Sequence, residues 1–195
     1  MPRDSEATKA RILDAAAEEF SRRGLAGARV DEIAARSGSN KQLIYAYFES
    51  KQGLFEAVIA HQLTPVLDAV PITPDDLAGY AGRLFDHGHD HPQLLRLSQW
   101  YFLEVDGDSA APPAILKSIQ EKVTVVEQAQ RAGTVASDIP ALELLALILA
   151  ISYAWNSGPY SRARRSKTEL ERRRNAVVAA VEKLTQSRSK TRARR

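Results

Sequence analysis

The chain has 195 residues, of which 44% are hydrophobic, a formal net charge of +3 and no cysteine. This length is enough for one or two domains with a buried core, and the lack of cysteine excludes disulfides, thiolate metal sites and cysteine nucleophiles. No apolar run is long enough for a membrane span or a signal peptide, so the sequence predicts a soluble cytoplasmic protein without a membrane partner.

Charge is unevenly distributed along the chain. Residues 1–55 carry nine Lys and Arg against eight Asp and Glu, residues 56–160 carry five against thirteen, and residues 161–195 carry thirteen against three. An acidic middle between basic ends indicates that the parts of the chain have different tasks.

Apolar residues recur at helical spacing from near the start of the chain. A first stripe ends at Gly24, and a second, shorter helix is stopped by Gly38. Ser39 is expected to cap a third helix that runs to about Phe48, and Ser50 is expected to cap a fourth. The three main stripes contain Ile12, Ala16 and Phe20; Val30, Ile33 and Ala34; and Leu54, Phe55, Val58 and Ile59.

The same helical pattern continues to the end of the chain. Thr73 and Pro74 are expected to be the N-cap and first residue of a helix that runs to about His87, and Pro92 begins another. The run DGDSAAPP at 106–113 predicts a loop. Further helices are predicted over 114–131, 141–155 and 167–184. No sustained β alternation is present, so the predicted class is all-α.

Three short helices with a tight turn suggest a helix-turn-helix. The turn has a small residue at Ala34, a glycine at Gly38 that tolerates positive φ, and a branched apolar residue at Ile44. These three residue types at these spacings favour two short helices that cross closely. A small helical packing domain with a polar face remains an equal alternative from this pattern alone.

A helical wheel divides the third helix into two sides. Ile44, Tyr47 and Phe48 fall on the inner side and are expected to pack mainly on the core. The outer side holds an amide, a phenol, a methyl group and a flanking cation. Glutamine and lysine can pair with base edges, and a tyrosine hydroxyl can bind a phosphate. The outer residues are Gln42, Tyr45 and Ala46, with Lys41 at the edge and Leu43 between the sides.

The first quarter of the chain resembles the DNA-binding domain of the tetracycline-repressor-like (TetR) family of bacterial regulators. The resemblance covers residues 9–55 and is carried by Ile12, Ala16, Phe20 and Gly24, followed by VDEIAARSGSNKQLIYAYFESKQGLF. It implies an N-terminal three-helix helix-turn-helix domain followed by a larger helical bundle for effector binding and dimerisation. The remainder of the chain fits the family in length and helical character.

The family resemblance also implies roles for individual residues. Contacts to the DNA backbone fall on Tyr45, Tyr47 and Lys51, and contacts to bases fall on Lys41, Gln42 and Leu43. The family usually has threonine at the start of the second helix, where this chain has Ala28 and Arg29, and we expect Arg29 to contact a phosphate instead. Ala46 replaces a larger residue, so we expect fewer or different base contacts. The predicted DNA-binding set is Arg29, Ser39, Asn40, Lys41, Gln42, Leu43, Tyr45, Ala46, Tyr47 and Lys51.

A single helix-turn-helix recognises few base pairs, so we expect a homodimer on palindromic double-stranded DNA. The segment 142–155 is apolar nearly all round, and the last helix has an apolar repeat with small residues beside it. The family resemblance implies that these two helices pair with those of a second chain; packing within one chain is the alternative. The candidate interface residues are Leu147, Ile151, Leu170, Val177, Val181 and Leu184.

An effector pocket is implied by the same resemblance, and no cofactor is expected. Aromatic walls with a few polar groups are typical of small-molecule pockets, although aromatic stripes also occur as plain core. The candidates are Phe85, His87, Gln99, Trp100, Tyr101, Phe102, Tyr153, Trp155 and Asn156.

Metal binding and catalysis are not predicted. His87, His89 and His91 lie two residues apart in DHGHDH, a spacing that does not place them on one helix face, and the end of one helix before the start of another explains the segment. No nucleophile and base signature, phosphate loop or HExxH motif occurs, so an enzyme is not expected.

The predicted organisation has a DNA-binding domain at 1–50, an effector-binding and dimerisation domain at 51–186, and a basic, disordered tail at 187–195. The tail either adds nonspecific attraction to phosphates or solubilises the end of the chain. The predicted function is a repressor that an unknown small-molecule effector releases from its operator. The alternatives are a regulator without an effector or an activator, and a helical small-molecule-binding protein or enzyme that does not bind DNA.

Overall fold

A computed structural model of the protein describes residues 2–104, 112–156 and 166–187. Within these ranges the regular secondary structure is entirely helical, which confirms the predicted all-α class. The predicted loop at 106–113 and the predicted tail lie largely outside the described residues. The α-helices are α1 Pro2–Gly27, α2 Val30–Ser37, α3 Lys41–Phe48, α4 Lys51–Ala69, α5 Leu77–Asp90, α6 Pro92–Glu104, α7 Pro113–Arg131, α8 Ala141–Tyr153 and α9 Lys167–Thr185, with a short 3₁₀ helix at Ala154–Asn156.

The chain forms two compact units. The first comprises Met1–Asp68 with Pro92–Leu116, and the second comprises Ala69–His91 with Lys117–Arg195. This division differs from the expected boundary at residue 50, because α6 packs against α1 and belongs to the first unit together with most of α4.

The core of the first unit is built from the apolar stripes of its helices. The rings of Phe20 on α1 and Phe55 on α4 meet edge to face with centroids 5.0 Å apart, and the Phe55 ring lies 6.4 Å from that of Tyr101 on α6. Ile33 and Ile44 contribute fully buried side chains from α2 and α3. Burying each such side chain stabilises the fold by about 1.5–3 kcal/mol. The predicted inner faces of α1, α2 and α4 are therefore confirmed.

Gly24 interrupts α1 with φ 68° and ψ −177°, a backbone conformation that is open essentially to glycine alone. The first helical stretch of α1 ends there, as the sequence predicted. A Cβ at this position would lie 2.7 Å and 2.9 Å from two ring carbons of Trp100 on α6. The glycine therefore permits both the bend and the close approach of α6.

The core of the second unit lies where α5 packs against α8 and α9. Tyr80 on α5 and Leu144 and Ile148 on α8 are almost completely buried. Val177 and Val181 on α9 were expected to contact a second chain, but they are 2% and 0% exposed and belong to this core. A side chain that is already buried within its own unit has no surface to offer to a partner, so these two residues are removed from the candidate interface.

Two of the predicted helix caps were wrong, and one is confirmed. Asn40, not Ser39, caps α3, since its side-chain oxygen accepts a hydrogen bond from the Leu43 amide at 2.8 Å. Asp76, not Thr73, caps α5 in the same way through the Gly79 amide at 2.8 Å. Ser50 accepts from the Gly53 amide at 2.9 Å at the start of α4, as predicted.

Candidate nucleic-acid interface

The turn between α2 and α3 is held by backbone geometry at its first residue and by a side-chain cap at its last. Gly38 has φ 65° and ψ 28°, and its amide donates to the Ala34 carbonyl, which ends α2. Asn40 then caps α3. Ile44 is completely buried, and Ala34 is 8% exposed. The predicted combination of a small residue, a glycine and a branched apolar residue is confirmed as the packing of this turn.

The outer side of α3 projects from this turn into solvent. Lys41, Gln42, Tyr45 and Ala46 are exposed, as the helical wheel predicted. The side chain of Leu43 is half-buried. An exposed helical face of this kind fits the major groove of B-DNA, which is about 12 Å wide and presents a distinct pattern of donors and acceptors for each base pair. The amide of Gln42 and the ammonium of Lys41 are the groups suited to base edges.

Tyr47 and Phe48 lie at the end of α3 and are half-buried, so they are less enclosed than core residues. Their rings meet edge to face with centroids 6.2 Å apart. The Tyr47 hydroxyl lies 3.2 Å from the Ser5 hydroxyl, and the Lys9 ammonium lies 5.4 Å from the Tyr47 ring centroid. Sequence reasoning missed both residues of α1, since nothing in the local pattern places position 5 beside position 47.

Lys51 and Arg29 differ in whether their side chains have hydrogen-bond partners within the described part of the protein. The Lys51 ammonium donates to the carbonyls of Ala26 and Ala28 at 3.2 Å and 3.3 Å, so it ties the start of α4 to the connection between α1 and α2. The Arg29 side chain is exposed at the start of α2, where no side-chain cap is formed. Arg29 is thus open to a phosphate in the free protein, whereas Lys51 has protein partners.

Glu19 holds the start of α2 in place and was also missed by sequence reasoning. Its carboxylate is 1% exposed, forms an ion pair with Arg23 at 3.2 Å, and accepts a hydrogen bond from the Arg29 amide at 3.2 Å. A buried carboxylate requires such partners, because an unpaired buried charge is costly. The local signal was an acidic residue directly before Phe20 in the apolar stripe.

Ser39 has a hydroxyl oxygen shielded from solvent without a hydrogen-bond partner among the described residues.

Lys41 has an acidic neighbour in the free protein. Its ammonium lies 3.2 Å from the carboxylate of Asp31 on α2, and the side chains are 50% and 71% exposed. Exposed pairs of this kind contribute little to stability, about 0–1 kcal/mol, so Lys41 can exchange Asp31 for another anion at small cost. Asp31 thus places a negative charge beside the exposed side of α3, where the predicted DNA contacts lie.

We expect Asp31→Asn to tighten binding to any DNA duplex about 2–5-fold at low salt, because it removes a repulsive charge and frees Lys41. Fluorescence anisotropy with a bound duplex and a scrambled one measures the effect. Glu121→Gln is the matched control, since Glu121 pairs with Lys117 at 3.8 Å on α7. Weaker binding by Asp31→Asn would show instead that this carboxylate accepts a hydrogen bond from a base.

The predicted effector residues fall in both units. In the first unit, the Trp100 ring packs beside Gly24, Tyr101 is 4% exposed, and Phe102 is 70% exposed. Gln99 is half-buried on the same helix. Phe102 is thus too open to form the wall of an enclosed pocket within its unit.

In the second unit, the candidates gather around the end of α5. The Asn156 amide donates to the Gly88 carbonyl at 3.1 Å, and the Tyr153 ring packs against the same glycine. Burial raises the pKa of Tyr153 to about 12, so its hydroxyl stays protonated. The Trp155 ring lies 4.9 Å from the Arg173 guanidinium. Phe85 is 4% exposed and belongs to the core.

His87 is the polar residue of this group whose ring has a nitrogen still available for a hydrogen bond. Its Nε2 is buried without a hydrogen-bond partner among the described residues, and its ring centroid lies 4.5 Å from that of His91. Burial, with the nearby His91, lowers the pKa of His87, so the imidazole is neutral near pH 7 and can donate or accept. Within the described ranges, no three His, Asp or Glu side chains are arranged to hold a metal ion.

A groove of about 460 Å³ lies elsewhere in the second unit. It is formed by the start of α5, the connection from α7 to α8 and the end of α9, and contains none of the predicted effector residues. Its volume falls in the range of ligand sites, about 300–1,000 Å³. Its lining includes Leu77, Val135, Val178, Glu182 and Thr185.

Comparison with protein families decides what the exposed helix is for. Residues 12–58 match the family described as "Bacterial regulatory proteins, tetR family", and residues 76–183 match the "Tetracyclin repressor-like, C-terminal domain". The chain belongs to the TetR family. It is therefore a DNA-binding transcriptional regulator, and α2 and α3 are its helix-turn-helix.

Individual relatives of the chain agree with this assignment. The HTH-type transcriptional repressor SCO4008 of Streptomyces coelicolor is 43% identical over 152 residues, which cover 77% of this chain and 79% of the relative. The repressor NicS of Pseudomonas putida is 25% identical over 169 residues, covering 80% and 79%. The crystal structure of the putative regulator SCO4942 of Streptomyces coelicolor superposes with a TM-score of 0.78 at 37% identity, covering 92% of this chain and 99% of that one.

The membership in the TetR family also explains why α3 carries its polar groups outward. None of the helices in the described ranges combines the length and the apolar character that crossing a bilayer requires. The two relatives named above are transcriptional repressors.

Proposed function

We propose that the protein is a homodimeric repressor that binds a palindromic operator through α3 and is released when a small molecule binds its second unit. The observation that carries the DNA contact is the exposed side of α3, where Lys41, Gln42 and Tyr45 surround the small Ala46. A small side chain in this position lets the helix approach the base edges closely. The repressor role is supported by two relatives that are named as repressors.

The proposed dimer uses the exposed sides of α8 and α9. Leu142 and Leu147 on α8 are 53% and 42% exposed, and Ala176 and Ala180 on α9 are also exposed. Large exposed leucines beside small alanines favour close helix packing with a second copy, which would bury them. Ile151, Leu170 and Leu184 are partly buried against the unit's own core, so they would lie at the edge of this interface.

We expect Leu147→Glu to raise the dimer dissociation constant by at least about 30-fold, since it places a charge in an apolar contact. Light scattering after size exclusion measures the mass, and operator affinity should fall together with it. Leu116→Glu is the matched control, because Leu116 is 49% exposed on α7 within the first unit. An unchanged mass of two chains in Leu147→Glu would place the interface elsewhere.

Release is proposed to follow from a shift between two populations of the dimer. The two populations differ in the arrangement of the two recognition helices. The effector binds one population in the second unit, and the operator binds the other. Operator DNA must then weaken effector binding by the same factor. His87 with Tyr153, Trp155 and Asn156 is the proposed effector site, because it joins aromatic surfaces to polar groups and includes a buried imidazole nitrogen that no described residue hydrogen-bonds.

Transcription in vitro tests the regulatory sign. A promoter that overlaps a duplex bound by the protein should be silenced by stoichiometric protein and restored by a compound that also raises the melting temperature of the free protein. Silencing without any such compound indicates a regulator that needs no effector. Stimulated transcription would contradict the repressor proposal and favour an activator.

A further inference from the structure

The first turns of α1 lie against the last turn of α3. The Ser5 and Tyr47 hydroxyl oxygens are 3.2 Å apart, and either can be the donor. The Lys9 ammonium stands 5.4 Å from the centroid of the Tyr47 ring. These contacts join residues that are about forty positions apart in sequence, so they fix the start of α1 beside the recognition helix.

The three side chains together have unused capacity to bind an anion. In a contact between two hydroxyls, only one O–H is used, so the other O–H can donate to an outside acceptor. The Lys9 ammonium has three N–H donors, and its carboxylate partner Glu6 lies 3.4 Å away on an exposed part of α1, with Lys9 39% exposed and Glu6 76% exposed. Phosphate oxygens accept hydrogen bonds from an ammonium and from a nearby O–H, so this group of side chains suits a phosphate.

The position of the three side chains relative to α3 indicates which phosphate they would meet. Gln42 and Ala46 lie one turn apart on the exposed side of α3, and Leu43 and Tyr47 form the next row around the helix. A helix in the major groove has a sugar-phosphate strand along each edge of the groove. The half-buried row containing Leu43 and Tyr47 lies between the exposed side and buried Ile44, so it adjoins the edge of the exposed side, along which one of the two strands would run.

We propose that Ser5 and Lys9 join Tyr47, for which the family resemblance already implies a contact to the DNA backbone, in a binding site for a phosphate of the DNA strand that borders the groove recognised by α3. The start of α1 is thereby part of the DNA interface. The site rests on the DNA-binding function and adds an interaction that does not depend on base sequence. Lys9 supplies the charge, whichever of Ser5 and Tyr47 does not donate to the other supplies one O–H donor, and the ammonium near the Tyr47 ring holds the side chains together.

The salt dependence of operator binding tests the site. A lost phosphate contact makes the slope of log K against log salt less steep by about 0.9, so we expect this change in Lys9→Gln, with a roughly 3–10-fold loss of affinity near 0.1 M salt. Operator and nonspecific duplexes should lose affinity by the same factor. Lys9→Arg keeps the charge and should restore the slope. Ser5→Ala should weaken binding by roughly 2–10-fold without a change in slope.

Arg22→Gln is the matched control for charge. Arg22 is an exposed cation on the same helix, thirteen residues beyond Lys9 and therefore about 20 Å further along the axis. Its substitution should leave the slope unchanged. Operator binding by the wild type with an unchanged slope in Lys9→Gln would overturn the phosphate site while leaving the regulator intact. A wild type that binds no duplex would overturn both the site and the DNA-binding function on which it rests.

Discussion

Replacing Gly24 by alanine is expected to lower the free energy of unfolding by about 3–5 kcal/mol. Two causes combine. The backbone at φ 68° and ψ −177° is strained for any residue with a Cβ, and the new methyl group would meet the Trp100 ring at 2.7 Å. Because α1 and α6 pack against each other, the ring cannot move away without loss of that packing.

Urea unfolding followed by circular dichroism measures this loss. Gly133→Ala is the matched control, because Gly133 has a similar φ of 73° with no atom within 4 Å of the added Cβ. It shows the cost of a Cβ at positive φ without a steric contact, which should be about 1 kcal/mol. Equal losses in the two variants would contradict the close contact between Gly24 and Trp100.

Replacing Gln42 by alanine is expected to weaken operator binding by about 10–100-fold, since one well-formed pair of hydrogen bonds to a base contributes about 1–3 kcal/mol of discrimination. Nonspecific binding should stay within about twofold, because phosphate contacts provide nearly all of it. The physical basis is the position of Gln42 on the exposed side of α3, within the first turn after the Asn40 cap.

Titration of the operator and of a scrambled duplex by both proteins measures this difference. Gln52→Ala is the matched control: it removes the same amide from an exposed position on α4, where the Gln52 Nε2 donates to Glu56 at 3.0 Å. Equal loss on both duplexes would show that Gln42 binds phosphate, and no loss on either would place the base contacts on other residues.

The sequence predicted the elements of the fold well, because apolar periodicity is a local property. The buried faces of α1, α2 and α4 and the bounds of α7 and α9 follow from it closely. Helix caps were harder, since two neighbouring polar residues can each cap the same helix. Ser39 and Asn40 both qualify by type, and only the path of the chain into α3 selects Asn40.

Tertiary contacts account for what the sequence could not predict. α5 was expected to end near His87 but continues to Asp90, and the Tyr153 ring packs against its Gly88. Arg173 is 6% exposed and pairs with Glu169, although an arginine in a basic run is usually solvated. Arg174 forms two hydrogen bonds with Asp86 on α5.

The candidate DNA site also contains residues that helical geometry predicts and residues that only tertiary contacts bring in. The exposed side of α3 was predicted because it depends on helical geometry alone, and the structure places Lys41, Gln42 and Tyr45 there. Glu19 and Lys9 were missed, because their partners Arg29 and Tyr47 lie outside α1. For the effector residues, neither periodicity nor composition separates a pocket wall from a packed core.

Selection of bound duplexes from random DNA by the purified protein, at a stated salt concentration, tests whether two α3 helices recognise one operator together. We expect enrichment of one palindrome whose half-sites are separated by one helical turn, roughly 34 Å, or a multiple of it. The Gln42→Ala variant should fail to enrich that palindrome. Enrichment of no sequence, or of a single unrepeated half-site, would contradict recognition by a pair of α3 helices in a homodimer.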